Sequence, residues 1–428
     1  MSAILFKDGR VIDPSRKINE VRELLVVDGK IAEGEAPKDA EIILAKGLVI
    51  APGLIDIHVH LREPGQSRKE TISSGTKAAA AGGFTSVVAM PNTVPVADGA
   101  NTIAWILQRA RETGVVNVFP TGCISQGMKG EMLAPIGSLK KAGVVAITDD
   151  GNCVQNNDLM RRAMEYSKMF NLPIFDHCQD YSMTAGSVMN EGYWSTVLGL
   201  KGWPATAEEI IILRNCLLAE LTGARIHCQH VTSAGGVRIL REAKERGVPI
   251  SGEICPHHIA LTDDSLEGYD TNYKMNPPLR TKRDVEALLE GVADGTIEYL
   301  ASDHAPHCDF EKEVEFDDAP FGILGLETEL GLFMTHLVHG KIISLPEMIE
   351  RLTLRPAQLI GVEKGTLAAG VDADIVVIDA DMEWNVDKNT SYSLSRNTPF
   401  HGTPLKGRAV MTFVGGKKVW SLQDGLGK

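Results

Sequence analysis

Leu48-Val49-Ile50-Ala51-Pro52-Gly53-Leu54-Ile55-Asp56-Ile57-His58-Val59-His60 is an apolar run that closes on two histidines two residues apart. It reads as one buried strand, 48–60, whose period of two turns both imidazoles to the same face. Upstream, β-patterned runs at 3–11, 24–31 and 41–44 are broken by the hairpin signals Asp8-Gly9 and Asp28-Gly29, which predicts a small sheet. Downstream, buried strands alternate with helical patterns. Seven more strand candidates follow at 84–92, 116–125, 144–151, 172–180, 224–233, 248–258 and 297–307, with helical segments at 69–81, 101–112, 158–169, 207–221, 236–246 and 282–292. Eight β-then-α units in series predict a closed parallel (β/α)8 TIM barrel, because short βα connections force parallel pairing and eight strands close a core filled by side chains. The competing open sheet would carry a G-x-G-x-x-G turn after its first strand, and none follows Leu54. A helical stretch at 346–360 precedes a return to β pattern at 373–378 and 409–420, around a Gly415-Gly416 turn. The expected organisation is a small β-rich domain made of 1–50 and 362–428, and a barrel at 51–361.

The chain has 428 residues, 43% hydrophobic and 23% charged, enough to bury a sizeable core and far from a disordered composition. Its 43 Lys and Arg against 56 Asp and Glu leave a net charge of −13 with no basic block. That excludes nucleic acid or an anionic membrane as the main partner, while an anionic small molecule remains admissible if cations are placed locally. Seven cysteines, an odd number without a Cys-x-x-Cys pair, suggest neither a disulfide framework nor a thiolate zinc site. With charge inside the first seven residues and no window of about 18 apolar ones, the expectation is a cytoplasmic, unanchored protein.

The remaining histidines sit where other predicted strands end: His177 on the fifth, His230 on the sixth, His257 and His258 on the seventh, His304 and His307 on the eighth. Asp149-Asp150 ends the fourth strand and Asp303 falls on the eighth. C-terminal strand ends are where such a barrel builds its active site, so residues far apart in sequence meet at one mouth. Four His and two Asp suffice for two divalent ions, each with an open position and one carboxylate shared between them. Imidazole-rich ligation favours Zn2+, with Mn2+ or Co2+ able to substitute. Strand alternation does not choose between Asp149 and Asp150. His227, three residues from His230, faces the other way and reads as packed; His304, beside Asp303, reads the same.

Asp56-x-His58-x-His60-x-Arg62-Glu63-Pro64-Gly65, Met90-Pro91-Asn92-Thr93, Thr148-Asp149-Asp150-Gly151, Met275-Asn276-Pro277-Pro278-Leu279-Arg280 and Asp303-His304-Ala305-Pro306-His307, in this order, resemble the dihydroorotases of the longer bacterial type within the amidohydrolase superfamily. The resemblance covers nearly the whole chain. It implies His58, His60 and Asp303 on one metal, His177 and His230 on a second, and Asp150 as the bridge. It further implies a substrate set of His60, Arg62, Asn92, Asn276 and His307 with the backbone of Phe321 and Gly322, and Asp303 as the group that moves the proton. Many members of the superfamily bridge with a carbamylated lysine; here an aspartate stands in its place, as in a subset of bacterial dihydroorotases, and occupancy of the second metal depends on it.

The implied reaction is the reversible cyclisation of N-carbamoyl-L-aspartate to L-dihydroorotate and water in pyrimidine synthesis. A homodimer, and association with aspartate carbamoyltransferase, are further expectations of the resemblance. A hydantoinase or allantoinase on the same barrel would differ by a bridging carbamylated lysine and the absence of Arg62. A metal-free pseudoenzyme, serving as a scaffold for the preceding pathway enzyme, would lack ligands, whereas all six positions are filled. Residues 308–318, almost wholly charged, are either a solvated surface run or a lid over the mouth.

Overall fold

The computed structural model describes residues 2–427, so Met1 and Lys428 lie outside the description. The opening run is two strands rather than one. Val49–Pro52 pairs antiparallel with Ile375–Asn385 and parallel with Arg10–Asp13, whereas Leu54–Val59 pairs parallel with Phe84–Ala89. Gly53 is the hinge between the two sheets: a Cβ there would stand 2.1 Å from Thr85 Oγ1. Only a residue without a side chain lets the backbone pass that close. Both halves are fully buried, so no polar residue marked the break.

From Leu54 the chain closes a parallel barrel. Leu54–Val59, Phe84–Ala89 and Asn117–Pro120 form one run of paired strands, and Ile174–Asp176, Ile226–Cys228, Ile250–Ile254 and Tyr299–Leu300 form another. The fourth strand is reduced to the bridges that Ile147 makes to Gly122 and Ile174, and Val59 pairs with His304 to shut the ring. The predicted strands at 172–180, 224–233 and 297–307 are therefore only their first few residues. Their C-terminal parts are irregular, which frees those backbones to turn side chains into the mouth. Helices Ile72–Gly82, Ala100–Thr113, Asn157–Lys168, Thr206–Thr222, Ala234–Glu245 and Lys282–Ala293 clothe the ring, joined by a short Ile136–Ala142 that the sequence pattern did not signal. Thr71, Asn156 and Ser233 cap three of them by accepting backbone N–H bonds. The expected helix at 346–360 is two, Leu345–Leu352 and Leu354–Ile360.

The chain ends build two further sheets. A seven-stranded one runs from Gly425–Leu426 through Lys417–Ser421, Pro404–Val414, Ile375–Asn385, Val49–Pro52 and Arg10–Asp13 to Ile18–Val21. A four-stranded one holds Lys30–Ala32, Leu24–Val27, Ala3–Lys7 and Glu41–Leu44. Phe6, Val26, Ile50, Val377 and Phe413 form their shared core, with the Phe6 and Phe413 rings edge-on at 5.2 Å. No helix among the described residues is long and apolar enough to cross a membrane.

Candidate metal centre and substrate pocket

At the mouth, each of three histidines has one ring nitrogen engaged by a side-chain oxygen and the other turned inward. His58 Nδ1 lies 2.6 Å from Glu253 Oε1, His60 Nδ1 lies 2.9 Å from Asn92 Oδ1, and His177 Nε2 lies 2.9 Å from Gln179 Oε1. An acceptor on the outer nitrogen holds the proton there and leaves a lone pair on the inner one. The inner atoms converge on Asp150 and Asp303. His58 Nε2 is 3.3 Å from Asp150 and 3.5 Å from Asp303. His60 Nε2 is 3.3 Å and 3.0 Å from the same two carboxylates. His177 Nδ1 and His230 Nε2 are 2.9 Å apart, and each is 3.9 Å from Asp150.

Three overlapping groups, His58–His60–Asp150, His58–His230–Asp303 and Asp150–His177–His230, each have ligand atoms within 4.8 Å of one another. Four buried imidazoles facing two buried carboxylates at these spacings are a donor set that fits two divalent ions sharing Asp150. The neighbouring Asp149 turns away. It accepts from the N–H groups of Ile124 and Ser125, at 2.8 and 3.2 Å, and from the Ser125 hydroxyl.

Arg62, His230 and Asp303 have φ of 59°, 31° and 48°, left-handed values unusual for residues with a Cβ. Such conformations cost of order 1–3 kcal/mol each and cluster at functional sites. Here they aim three site residues inward at the points where the strands stop.

A cavity of ≈ 360 Å³ opens over the cluster, walled by Arg62, Asn92, Asn276, His307, Phe321 and Gly322 among others. Arg62 is 8% exposed. It donates from Nε to Pro306 O at 3.1 Å, approaches His307 Nε2 at 3.3 Å, and makes no salt bridge among the described residues. Burial lowers its pKa to about 10, so it is a charged fork without an anion. His307 is kept neutral by burial and by the cations of Arg62, Lys69 and Lys312, its pKa falling to about 2. Asn276 donates to Gln179 at 3.2 Å, while its Oδ1 has no partner. The N–H of Gly322 is already spent on Lys274 O at 3.0 Å. Any contact it makes to a ligand would use its carbonyl or its bare Cα.

The other histidines are elsewhere. His227 is clamped between Ser251 and Glu253. His304 lies 3.4 Å from Glu70 and accepts from Gly325 N. His257 and His258, expected at a strand end, sit on the short helix His257–Ala260 because the seventh strand stops at Ile254; His258 meets Pro277 O at 3.0 Å. The charged run at 308–318 exposes Asp309, Glu313, Glu315, Asp317 and Asp318 to solvent but is anchored to the fold. It includes the helical turn Asp309–Lys312 and is tied down by the buried Lys312 amine on the carbonyls of Thr271 and Pro320, and by Lys274 on those of Phe316 and Asp317.

Two residues escaped the sequence reading. Glu253, fully buried, holds His58 at 2.6 Å and His227 at 2.9 Å, and accepts from the N–H of His230 at 3.2 Å. Burial raises its pKa, but the facing histidines outweigh that and hold it at about 2. Its signal was an acid inside the buried strand pattern Ile250–Ile254. Gln179 orients both His177 and Asn276; its signal was a position two beyond His177, on the same face.

Two relatives decide among the barrel's possible families. The dihydroorotase of Pelotomaculum thermopropionicum is 51% identical over 98% of this chain and 99% of its own, and that of Geobacter metallireducens is 50% identical over 97% and 99%. The chain belongs to the dihydroorotase family. The family model described as dihydro-orotase-like matches residues 47–235. Among solved structures, L-hydantoinase (dihydropyrimidinase) from Arthrobacter aurescens superposes with a TM-score of 0.88 at 26% identity, covering 100% of this chain and 98% of its own. That superposition shows the amidohydrolase barrel with its additional sheets, a scaffold that hosts more than one cyclic-amide hydrolase. Dihydroorotase membership rests on the far higher identity to the first group.

Proposed function

We propose that the protein is a dihydroorotase that interconverts N-carbamoyl-L-aspartate and L-dihydroorotate in pyrimidine biosynthesis, as a cytoplasmic homodimer. The observation that carries this reading is an unpaired, buried arginine fork facing a cluster of four histidines and two aspartates, in a chain half identical to dihydroorotases. Hydantoins lack a carboxylate for such a fork to hold, which favours dihydroorotate over the hydantoinase reading.

In hydrolysis, Arg62 pairs with the substrate carboxylate in bidentate geometry, and Asn276 offers its open amide oxygen to a ring N–H. Neutral His307, lodged against Arg62, completes the wall without adding a competing charge. Zinc-type ions, one held by His58, His60 and Asp303, the other by His177 and His230, with Asp150 shared, would supply an acidified water and a Lewis acid for the amide carbonyl. Asp303 takes a proton from the attacking water and delivers it to the leaving ring nitrogen as the C–N bond breaks. Cyclisation runs through the same group in reverse.

One purified sample tests the reading. It should carry close to two transition-metal ions per chain by elemental analysis, hydrolyse dihydroorotate, and cyclise carbamoyl-aspartate. Turnover of hydantoin or allantoin in preference to dihydroorotate would overturn it, and one ion or fewer after metal-replete expression would overturn the paired-metal arrangement. The clamp has its own test. Arg62→Lys keeps the charge but loses the fork, so KM should rise about tenfold or more with metal content unchanged. A wild-type KM and kcat would make Arg62 a structural residue.

A further inference from the structure

The helix Thr206–Thr222 is apolar on both sides. Ala207, Ile211, Ile212, Cys216 and Ala219 bury its inner face. Its outer face presents Ile210, Leu213, Leu217 and Leu221, which are 43%, 46%, 55% and 64% exposed. Spacings of three and four residues put these four in one stripe along the helix. Lys168 donates to Thr222 O at 2.9 Å, which brings the end of Asn157–Lys168, with the 75% exposed Met169 just beyond it, to the C-terminal end of this helix. Four large side chains half out of the protein present on the order of 300–400 Å² of contiguous apolar surface, a size that on a monomer marks an interaction site.

The flanking helices, Asn157–Lys168 and Ala234–Glu245, carry exposed or half-exposed charges on either side: Arg161, Arg162 and Glu165 on one, Arg238 and Glu242 on the other. An apolar centre inside a polar rim is the anatomy of a protein interface. We propose that this three-helix face joins two copies of the chain about a two-fold axis; the proposal deepens the homodimer reading above by naming its surface.

Two observations select a second copy as the occupant. The stripe is nearly self-complementary: in an antiparallel crossing Leu213 of each chain meets Leu217 of the partner, and Ile210 meets Leu221, the isologous pattern a two-fold axis requires. The charge balance agrees. The chain carries −13 overall, yet the three helices together carry seven bases and seven acids. Two strongly acidic molecules can therefore meet here without the repulsion they would feel elsewhere. Adding the rim to the stripe brings the surface toward the roughly 800 Å² per partner of a standard interface.

Sedimentation velocity on the full chain tests this. Wild type should sediment as a dimer. Leu213→Glu with Leu217→Glu should dissociate it, with a Kd raised at least about 100-fold, because each copy would bury acids in the centre of the contact. The control Val21→Glu, at a residue 70% exposed on the terminal sheet, should remain dimeric. Since the substituted leucines are half exposed, the fold should survive, which circular dichroism checks. Amide exchange of the unmodified protein gives a second readout, with residues 206–222 exchanging more slowly at concentrations above the Kd than below it. A wild-type monomer would overturn both the homodimer reading and this surface. A dimer that survives the paired glutamates, or exchange at 206–222 that ignores concentration, would overturn the surface alone.

Discussion

Asp303→Asn should lower kcat about 10²- to 10⁴-fold in both reaction directions, the usual worth of a positioned general acid–base group. The geometry is what makes the test clean. Asp303 Oδ1 lies 3.0 Å from His60 Nε2 and 3.5 Å from His58 Nε2, and the residue is held at φ 48° by the chain around it. An asparagine can take the same backbone conformation, since Asn and Asp are the side chains most at home there. It also keeps an oxygen toward the two histidines, so fold and most metal content should persist, and only the basic carboxylate is lost. Microscopic reversibility requires both directions to suffer alike. His307 is the nearest alternative carrier, and its environment argues against the role: buried among Arg62, Lys69 and Lys312, it is a base too weak to hold a proton near neutrality. A variant that keeps its metal and more than about a tenth of wild-type kcat would remove Asp303 from proton transfer.

Glu253→Gln should weaken metal binding about 10- to 100-fold, the typical cost of removing the group that orients a ligating histidine. The carboxylate is fully buried and joins three strands, receiving His58 from the first, the His230 N–H beyond the sixth, and His227 from within the sixth. A glutamine retains the shape but loses the charge, and its amide N–H₂ must face one of two imidazoles. Whichever imidazole it faces loses its acceptor, and His58 keeps at best a neutral amide oxygen in place of a carboxylate. Competition against a chelator, followed by elemental analysis, reads the affinity directly, and the thermal midpoint of the metal-free protein reports any purely structural cost. Metal affinity at the wild-type level, with only the midpoint lowered, would make Glu253 a packing residue.

The fold was legible where periodicity and length agree. Six barrel helices were anticipated to within a few residues, most of them from a single apolar stripe and Thr206–Thr222, apolar on both sides, from its length and helix-forming composition. The strands were less so. The run 48–60 is apolar throughout, and apolarity says that a segment is buried without saying against which sheet; the division at Gly53 exists because Thr85 crowds the backbone there. The fourth strand looked as strong as the others, yet Ile147 alone keeps ladder pairing. Strand ends were overrun for a shared reason. The pattern continues into residues that line the mouth, where side chains rather than backbone ladders take up the polar groups.

The candidate site divides in the same way. Residue type and strand-end position marked His58, His60, His177, His230 and Asp303 together with His257, His258, His304 and His307, because a parallel barrel brings its C-terminal strand ends to one place; the family resemblance then separated the two sets. Dihydroorotase membership was likewise written in local motifs, which short-range geometry makes readable. Tertiary structure places Asp150 in the cluster and turns Asp149 away, as the family resemblance implied and strand periodicity could not decide, since the loop after a one-residue strand has no alternation to count. It alone showed that Arg62 has no internal anion, that Glu253 and Gln179 hold the histidines, and that His307 is electrostatically silenced. These depend on partners far apart in the sequence, 245 residues for Arg62 with His307, 195 for His58 with Glu253 and 97 for Asn276 with Gln179, and one-dimensional spacing carries no information about which distant side chains share a buried, low-dielectric space.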